Sequence, residues 1–264
     1  MRSVAYFPHV SFDEPNESSF SHYAQLSYMD QPTQTPHHRH PPLTELTYTQ
    51  DLQKATASEP LTLPEEYAMQ SSWRQDADKL TFIVCTNTIS HSITDGKVVP
   101  QDLSTKLEAG KQDAPDAMIG DVNLFLYADE DEDEDIQEGK KPTQSVIGEV
   151  EIMIARSSHQ GQGYGKEILL AFLWYVMANV DAVMSEYHSS HGNGTSKSVL
   201  RYLRVKIDAE NTRSIRLFEG AGFKKTSEKP NYFGELELRR TTPVGHVGEV
   251  EKELGFAPHV IGYP

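Results

Sequence analysis

The sequence predicts an α/β fold over about residues 51–240, preceded by a disordered N-terminal segment. Three observations support this prediction. Short runs rich in β-branched and aromatic residues recur along that range, as expected for strands. A glycine-rich loop joins one of these runs to a long apolar stretch, and residues 1–50 differ in composition from the rest of the chain.

The chain as a whole is acidic and rather polar for a folded protein. Apolar residues make up 37%, the mean hydropathy is -0.55 and the formal charge is -15, which indicates polar segments attached to a globular core. The negative charge argues against nucleic acid or an anionic membrane as the partner. The only cysteine, Cys85, cannot form an internal disulfide, and no apolar run approaches the length of a membrane span. We therefore expect a soluble, cytoplasmic protein.

Two polar segments flank the predicted domain, and an acidic run interrupts it. Residues 1–50 show no helical or strand period and are predicted to be disordered, and residues 241–264 are predicted to form a C-terminal tail. His37, His38 and His40 have no cysteine or carboxylate among them at ligand spacing, so we expect no metal site. The acidic residues 129–135 predict a solvated loop, with a tract for a basic partner as the alternative.

One helix and six strands can be placed from local patterns. A capping box at Thr62–Glu65 predicts a helix from about Leu63 to Gln75. Residues 87–115 are predicted to be a polar connection. Strands are expected at residues 80–85, 118–127, 145–154, 201–207, 222–227 and 232–239.

The glycine-rich loop follows the third predicted strand and precedes the apolar stretch Ile168–Val180. Glycines let the backbone approach a phosphate closely, and a helix N-terminus adds partial positive charge. A P-loop would need glycine at position 160 and Ser or Thr at 167, where Gln and Glu stand, and a dinucleotide fingerprint would need glycine at 166, where Lys stands. What remains is Q-x-x-G-x-G, formed by Gln160, Gly163 and Gly165.

A second motif lies downstream of a predicted strand. Residues 211–223 read N-x-x-S-I-x-x-F-E-x-x-G-F, and together with Q-x-x-G-x-G they resemble the GNAT superfamily of acetyltransferases. A structural reading stays open beside this one, because Asn211 suits a helix N-cap and Gly222 a C-cap. Residues 56–84, 119–126 and 148–155 narrow the resemblance to the eukaryotic N-acetyltransferase 9 family, over about residues 51–239.

The resemblance implies the GNAT fold, which is a mixed, mainly antiparallel sheet with helices on both faces. It also implies an acetyl-CoA-dependent transfer of acetyl to a primary amine, without a metal. The family suggests a protein N-terminus as acceptor, with tubulin as a target. A small-molecule amine stays open, and so does a degenerate GNAT domain that binds CoA or a partner protein without turnover. The implied cofactor-binding residues are Met153 and Ile154 for the thioester, Gln160, Gly161, Gln162, Gly163, Tyr164, Gly165 and Lys166 for the pyrophosphate, and Asn211, Ser214 and Phe218.

The catalytic candidates are two acids on the third predicted strand. Glu149 and Glu151 project from one face of the strand that is expected to carry the acetyl group, so either could accept the amine proton, unless both are structural. Many superfamily members place a tyrosine general acid where this chain has Phe218. Tyr187 or Tyr232 could replace it, or the thiolate could leave without an acid.

Overall fold

The computed structural model describes residues 62–73, 75–86, 91–94, 97–100, 114, 117–129, 142–192, 194–241, 247–256, 258 and 260. The predictions for residues 1–50 and for most of the acidic run lie outside the described residues. The strands of the described part are β1 (Lys79–Cys85), β2 (His91–Thr94), β3 (Lys97–Pro100), β4 (Met118–Ala128), β5 (Thr143–Ile154), β6 (Lys197–Asp208), β7 (Lys224–Lys225) and β8 (Glu235–Thr241). Its α-helices are α1 (Leu63–Trp73), α2 (Tyr164–Ala178), α3 (Val180–His191), α4 (Thr212–Gly220) and α5 (Val247–Leu254).

Six strands form one sheet in the order β1-β4-β5-β6-β8-β7, and β2 and β3 form a separate hairpin. Every pairing in the main sheet is antiparallel except that between β5 and β6, which is parallel. The predicted mixed, mainly antiparallel sheet is therefore confirmed. The predicted strands 145–154 and 201–207 lie side by side, as the GNAT fold requires.

Helices lie on both faces of this sheet, as predicted. Strand residues alternate between the faces, so Leu124 and Phe125 of β4 point in opposite directions. Leu124 belongs to the main core, where Phe172 of α2 meets Phe82 of β1 edge to face at 5.6 Å between ring centroids. On the other face, Trp73 of α1 meets Phe125 edge to face at 5.8 Å.

Helix α1 begins where the capping box predicts, but only the carboxylate half of the box forms. The backbone amide of Thr62 donates to Glu65 Oε2 at 2.8 Å, and the Thr62 hydroxyl donates to the same oxygen at 2.7 Å. In a complete capping box the hydroxyl would instead accept from the backbone amide of residue 65. A carboxylate is the stronger acceptor, which explains the reversed direction.

Four elements were not predicted from the sequence: the strands β2 and β3 and the helices α3 and α5. The β2–β3 hairpin lies within the predicted polar connection, α3 follows α2 after a single residue, and α5 lies in the predicted C-terminal tail. Helix α5 packs on α2: its Val250 is only 1% exposed, and its Glu251 accepts a 2.9 Å hydrogen bond from Trp174 Nε1. The predicted strand 222–227 is reduced to Lys224–Lys225.

No single helix in the described part of the chain is long and apolar enough to cross a membrane. Helices α2 and α3 reach the length and apolar composition of a membrane span only when they are counted together, and a 69° bend separates them.

Candidate active site

The parallel strands β5 and β6 separate at one end of the sheet. Their pairing runs from Thr143, opposite Lys197, to Glu149, opposite Arg204. Strand β5 continues to Ile154 on β4 alone, while β6 continues to Asp208 on β8. A gap therefore opens between the two strands, and the backbone of β5 that borders it has hydrogen-bonding groups without a strand partner.

The register decides which amide of β5 faces this gap. The amide of Ala155 donates to Ile119 O of β4 at 2.8 Å, so the amides of residues 151 and 153 also point toward β4. The amide of Ile154 points the other way, into the gap. The carbonyl of Ile154 faces the same side and accepts from Gln160 Nε2 at 2.8 Å. Of the two predicted donors to a thioester oxygen, Ile154 has the required direction and Met153 does not.

The glycine-rich loop has the backbone conformation that its sequence predicts. Gly161 and Gly163 have φ angles of 77° and 94°, which L side chains rarely adopt. Gly163 is the N-cap of α2, and a Cβ built on it would meet no atom within 4 Å. The first-turn amides of Tyr164 and Gly165 have no intrahelical acceptor. The loop thus offers an open cradle of backbone donors at a helix N-terminus, which fits a pyrophosphate.

Two side chains of the loop brace it rather than face outward. Gln160 holds the end of β5 through the hydrogen bond just described, and Gln162 Nε2 donates to Ser158 O at 2.5 Å. The rings of Tyr164 and His159 lie 5.5 Å apart in a tilted arrangement. Lys166, in the first turn of α2, is exposed. The backbone amides of the loop, rather than these side chains, are therefore the groups available to an anion.

Helix α4 lies next to this loop. The Asn211 side-chain oxygen accepts from the Ser214 amide at 3.1 Å, which confirms its N-cap role, and Gly222 after the helix has a φ of 86°. Phe218 is 2% exposed and packs edge to face on Phe223, so the structure gives it a place in the core and no surface for a cofactor.

Arg213, which the sequence analysis did not select, lies over the glycine-rich loop. Its Nη2 atom is 3.8 Å from the position that a Cβ on Gly161 would occupy. A guanidinium in this position can bind a phosphate oxygen. A basic residue in the first turn of α4 was the available signal, but the sequence did not show that this turn meets the loop.

The two candidate bases have different surroundings. Glu149 Oε2 accepts from Arg204 Nε at 2.7 Å and lies 3.5 Å from Lys206 Nζ. Glu151 has no ion pair within the described residues. Glu151 is exposed as a whole residue, but desolvation of its carboxyl, followed by the charge of Glu149, raises its pKa. A carboxylate with a raised pKa and no cation beside it is the better proton acceptor near neutral pH.

The two alternative proton donors, Tyr187 and Tyr232, differ in their exposure to solvent. Tyr187 lies in α3, 3% exposed and stacked on His191 at 4.7 Å, and cannot reach a substrate in this structure. Tyr232 is 96% exposed on the connection between β7 and β8.

Among the described residues, no group of three His, Cys, Asp or Glu side chains has an arrangement that could hold a metal ion, and the three clustered histidines lie outside them.

Comparison with known proteins decides the family. The model of the acetyltransferase (GNAT) domain matches residues 34–224, which include the glycine-rich loop, the gap and α4. The chain belongs to the GNAT acetyltransferase family. The match to this family model begins at residue 34, whereas the resemblance noted in the sequence begins at about residue 51. The GNAT assignment makes this protein an N-acetyltransferase, because its relatives are named for that activity.

Curated relatives of this GNAT protein confirm the resemblance to the N-acetyltransferase 9 family. An N-acetyltransferase 9-like protein of Schizosaccharomyces pombe is 40% identical over 206 residues, which cover 73% of this chain and 85% of that protein. The Alpha/beta-tubulin-N-acetyltransferase 9 of Homo sapiens is 36% identical over 73% of this chain and 70% of that protein. The Drosophila melanogaster protein of the same name is 34% identical, with 72% of each chain covered.

Proposed function

We propose that this protein transfers the acetyl group of acetyl-CoA to the N-terminal amine of a protein in the cytoplasm, and that α/β-tubulin is the first acceptor to test. The observation that carries the proposal is the open anion cradle at the N-terminus of α2, placed beside the gap between β5 and β6. The names of the human and Drosophila relatives support tubulin as the acceptor.

Acetyl-CoA supplies the thioester, and each task of acetyl transfer has a candidate group in this chain. The amides of Tyr164 and Gly165, with Arg213 above the loop, are placed to bind the pyrophosphate. The Ile154 amide is directed to polarise the thioester carbonyl, and one such donor contributes about 2.7–4 kcal/mol in comparable oxyanion sites. Glu151 is the favoured proton acceptor for the amine.

The proton balance of the transfer follows from these roles. The ammonium form of the acceptor gives one proton to the Glu151 carboxylate, and the neutral nitrogen forms a bond to the thioester carbon. The carbon–sulfur bond breaks, and its electron pair leaves on sulfur. The nitrogen then loses its second proton, which neutralises the thiolate. Phe218 carries no hydroxyl and is buried, so this proton passes from nitrogen to sulfur through solvent or through another residue.

The buried Phe218 also favours a second candidate function, a GNAT domain that binds CoA without turnover. Both functions predict CoA binding by the loop, and only the first predicts product. The deciding experiment incubates the purified protein with labelled acetyl-CoA and peptides that carry the N-terminal residues of α- and β-tubulin. We expect label on the α-amine of at least one peptide, located by fragmentation mass spectrometry. Label on lysine only, or no label beside clear CoA binding, would contradict the proposal.

A further inference from the structure

One face of the main sheet carries a row of polar side chains across three strands. In the register of the sheet, Thr81 of β1 lies opposite Asn123 of β4, and Asn123 lies opposite Glu151 of β5. Residues directly opposite each other point to the same face, with Cβ atoms about 4.5–5.5 Å apart. Asp121, two residues before Asn123, is on this face as well. The row therefore gathers the candidate base Glu151, a second carboxylate, an amide and a hydroxyl.

Two atoms of this row are buried without a hydrogen-bond partner. Asn123 is 6% exposed; its Nδ2 donates to Asp121 Oδ1 at 2.8 Å, and its own Oδ1 has no donor within the described residues. The hydroxyl of Thr81 is likewise buried and unpartnered. An unpaired buried polar group costs about 1–3 kcal/mol, so native proteins keep few of them without a reason.

The charges of this row also have no counterpart. Lys79, on the same face, is paired with Asp76 and Asp78, and Arg204 and Lys206 of β6 are paired with Glu149. Neither Asp121 nor Glu151 has a cation within salt-bridge distance in the described part of the chain. The pKa of Asp121 is raised to about 6. Burial is the main cause, the hydrogen bond from Asn123 opposes it, and the charge of Glu151 adds to it.

The chemistry of the missing group follows from these atoms. Carboxylates and an amide oxygen can only accept hydrogen bonds, so the group must donate several and carry positive charge. A primary ammonium has three donors on one small cation. Asp121 lies opposite Met153, the neighbour of Ile154, so a group bound here would lie beside the amide assigned to the thioester.

We propose that Asp121, Asn123 and Glu151, with the hydroxyl of Thr81, bind the primary ammonium group of the acceptor before it loses its proton. This inference rests on the proposed function. Asn123 Oδ1 accepts from the ammonium, and Asp121 holds the amide of Asn123 in the orientation that leaves this oxygen free. Asp121 and Thr81 are binding and positioning residues here, while Glu151 keeps its role as proton acceptor.

The test compares two forms of one peptide. A peptide with the N-terminal residues of α-tubulin and its N-acetylated counterpart are titrated by calorimetry into the protein saturated with CoA, at pH 7, where no turnover occurs. We expect the wild type to bind the free amine at least about tenfold more tightly, since hydrogen bonds to a charged group contribute about 1.5–3 kcal/mol. Asp121→Asn and Asn123→Leu should reduce this ratio to less than about threefold.

The matched control is Glu237→Gln, which removes one negative charge from the same face of the sheet but on β8. It should keep the wild-type ratio, because general attraction between an acidic protein and an ammonium is not the cause proposed. Loss of the ratio in Glu237→Gln to the same extent would overturn the subsite.

Thr81→Val separates ligand binding from a structural role. It also tests the subsite if Asn123→Leu does not fold. Valine has the shape of threonine without the unpartnered hydroxyl, so we expect an unchanged or higher Tm of the free protein with weaker binding of the free amine. A lower Tm with an unchanged ratio would show a water-filled structural cluster and overturn the proposal. Equal binding of both peptides by the wild type would overturn it too. If the wild type binds both peptides equally but still acetylates the free amine, the proposed function stands without the subsite. If it binds the free amine more tightly but does not acetylate it, the subsite stands without the proposed function.

Discussion

At the residue scale, Glu149 and Glu151 share one face of β5, but only Glu149 lies beside cations within the described residues. The alternation of β5 was enough to place Glu149 and Glu151 on one face. Their environments depend on Arg204, which is 55 residues further along the chain, and on a parallel pairing that no local pattern encodes. The same limit applies to Arg213 and Gly161, which only the folded chain brings together.

The first prediction at this scale concerns the proton acceptor. Glu151→Gln should lower kcat by about 10²-fold or more, with acetyl-CoA affinity nearly unchanged, because a general base contributes about 10²–10⁴-fold. The wild-type kcat should rise with pH through the raised pKa of Glu151, and the variant should lack that inflection. Glu149→Gln is the control; it should keep the inflection but at a lower pH, because the charge of Glu149 no longer raises the pKa of Glu151, and it should lower stability, since Arg204 and Lys206 lose their partner. Steady-state kinetics with the inflection kept in Glu151→Gln would refute the assignment.

The second prediction concerns Asp121 and pH. Its pKa in the folded protein is raised to about 6 from an ordinary value of 3.8, so the folded state binds a proton more tightly than the unfolded state does. Its contribution to stability is therefore most favourable below about pH 4 and is lost as the pH rises through 6. Urea unfolding of the wild type and Asp121→Asn should show the difference in unfolding free energy falling between pH 4 and 6 and constant above 7. A pH-independent difference would be inconsistent with this burial.

At the element scale, the glycine-rich loop and α4 were predictable because their signals are local. Positive φ at Gly163 and the N-cap at Asn211 each depend on a few neighbouring residues. The β2–β3 hairpin was missed although its sequence carries Asp95-Gly96, a typical two-residue hairpin turn. Helix α3 was missed because polar residues dominate its second half. The gap between β5 and β6 is a property of two strands and entered the sequence analysis only through the family resemblance.

A glycine inside β5 gives the prediction for this scale. A Cβ on Gly148 would stand 2.6 Å from Leu203 Cδ2 and 2.8 Å from Leu124 Cδ1, both of buried side chains. Gly148→Ala should therefore lower the unfolding free energy by about 1–3 kcal/mol, the usual cost of overpacking. Gly220→Ala, in α4 with no atom within 4 Å of its Cβ position, should be neutral or stabilising by up to about 1 kcal/mol. Equal stability of the two variants in urea would contradict the close packing of β5 against β6.

At the scale of the whole molecule, the sequence predicts a domain that ends near residue 240, whereas in the structure the core includes residues of α5. The apolar residues of this helix are few and separated, so its pattern does not stand out from a tail. Packing on α2 supplies the stability, through Val250, Leu254 and the hydrogen bond between Trp174 and Glu251.

The prediction at this scale is that the full chain depends on α5. Leu254→Ala should lower the unfolding free energy by about 2–5 kcal/mol, in one cooperative transition, because it removes a buried side chain from the main core. Lys252→Ala, an exposed change on the same helix, should stay within about 0.5 kcal/mol of the wild type. If denaturant unfolding gives the two variants the same midpoint, α5 does not stabilise the domain.

The central claim is that the cradle at the N-terminus of α2 binds the pyrophosphate of acetyl-CoA. Gly163→Glu places a side chain and a negative charge in that cradle. Gly194→Glu makes the same change at a glycine with a φ of 76° and equally open surroundings, on the connection before β6 at the opposite end of the sheet. Calorimetric titration with acetyl-CoA should show binding by the wild type and Gly194→Glu and none by Gly163→Glu. Wild-type affinity in Gly163→Glu would contradict the account.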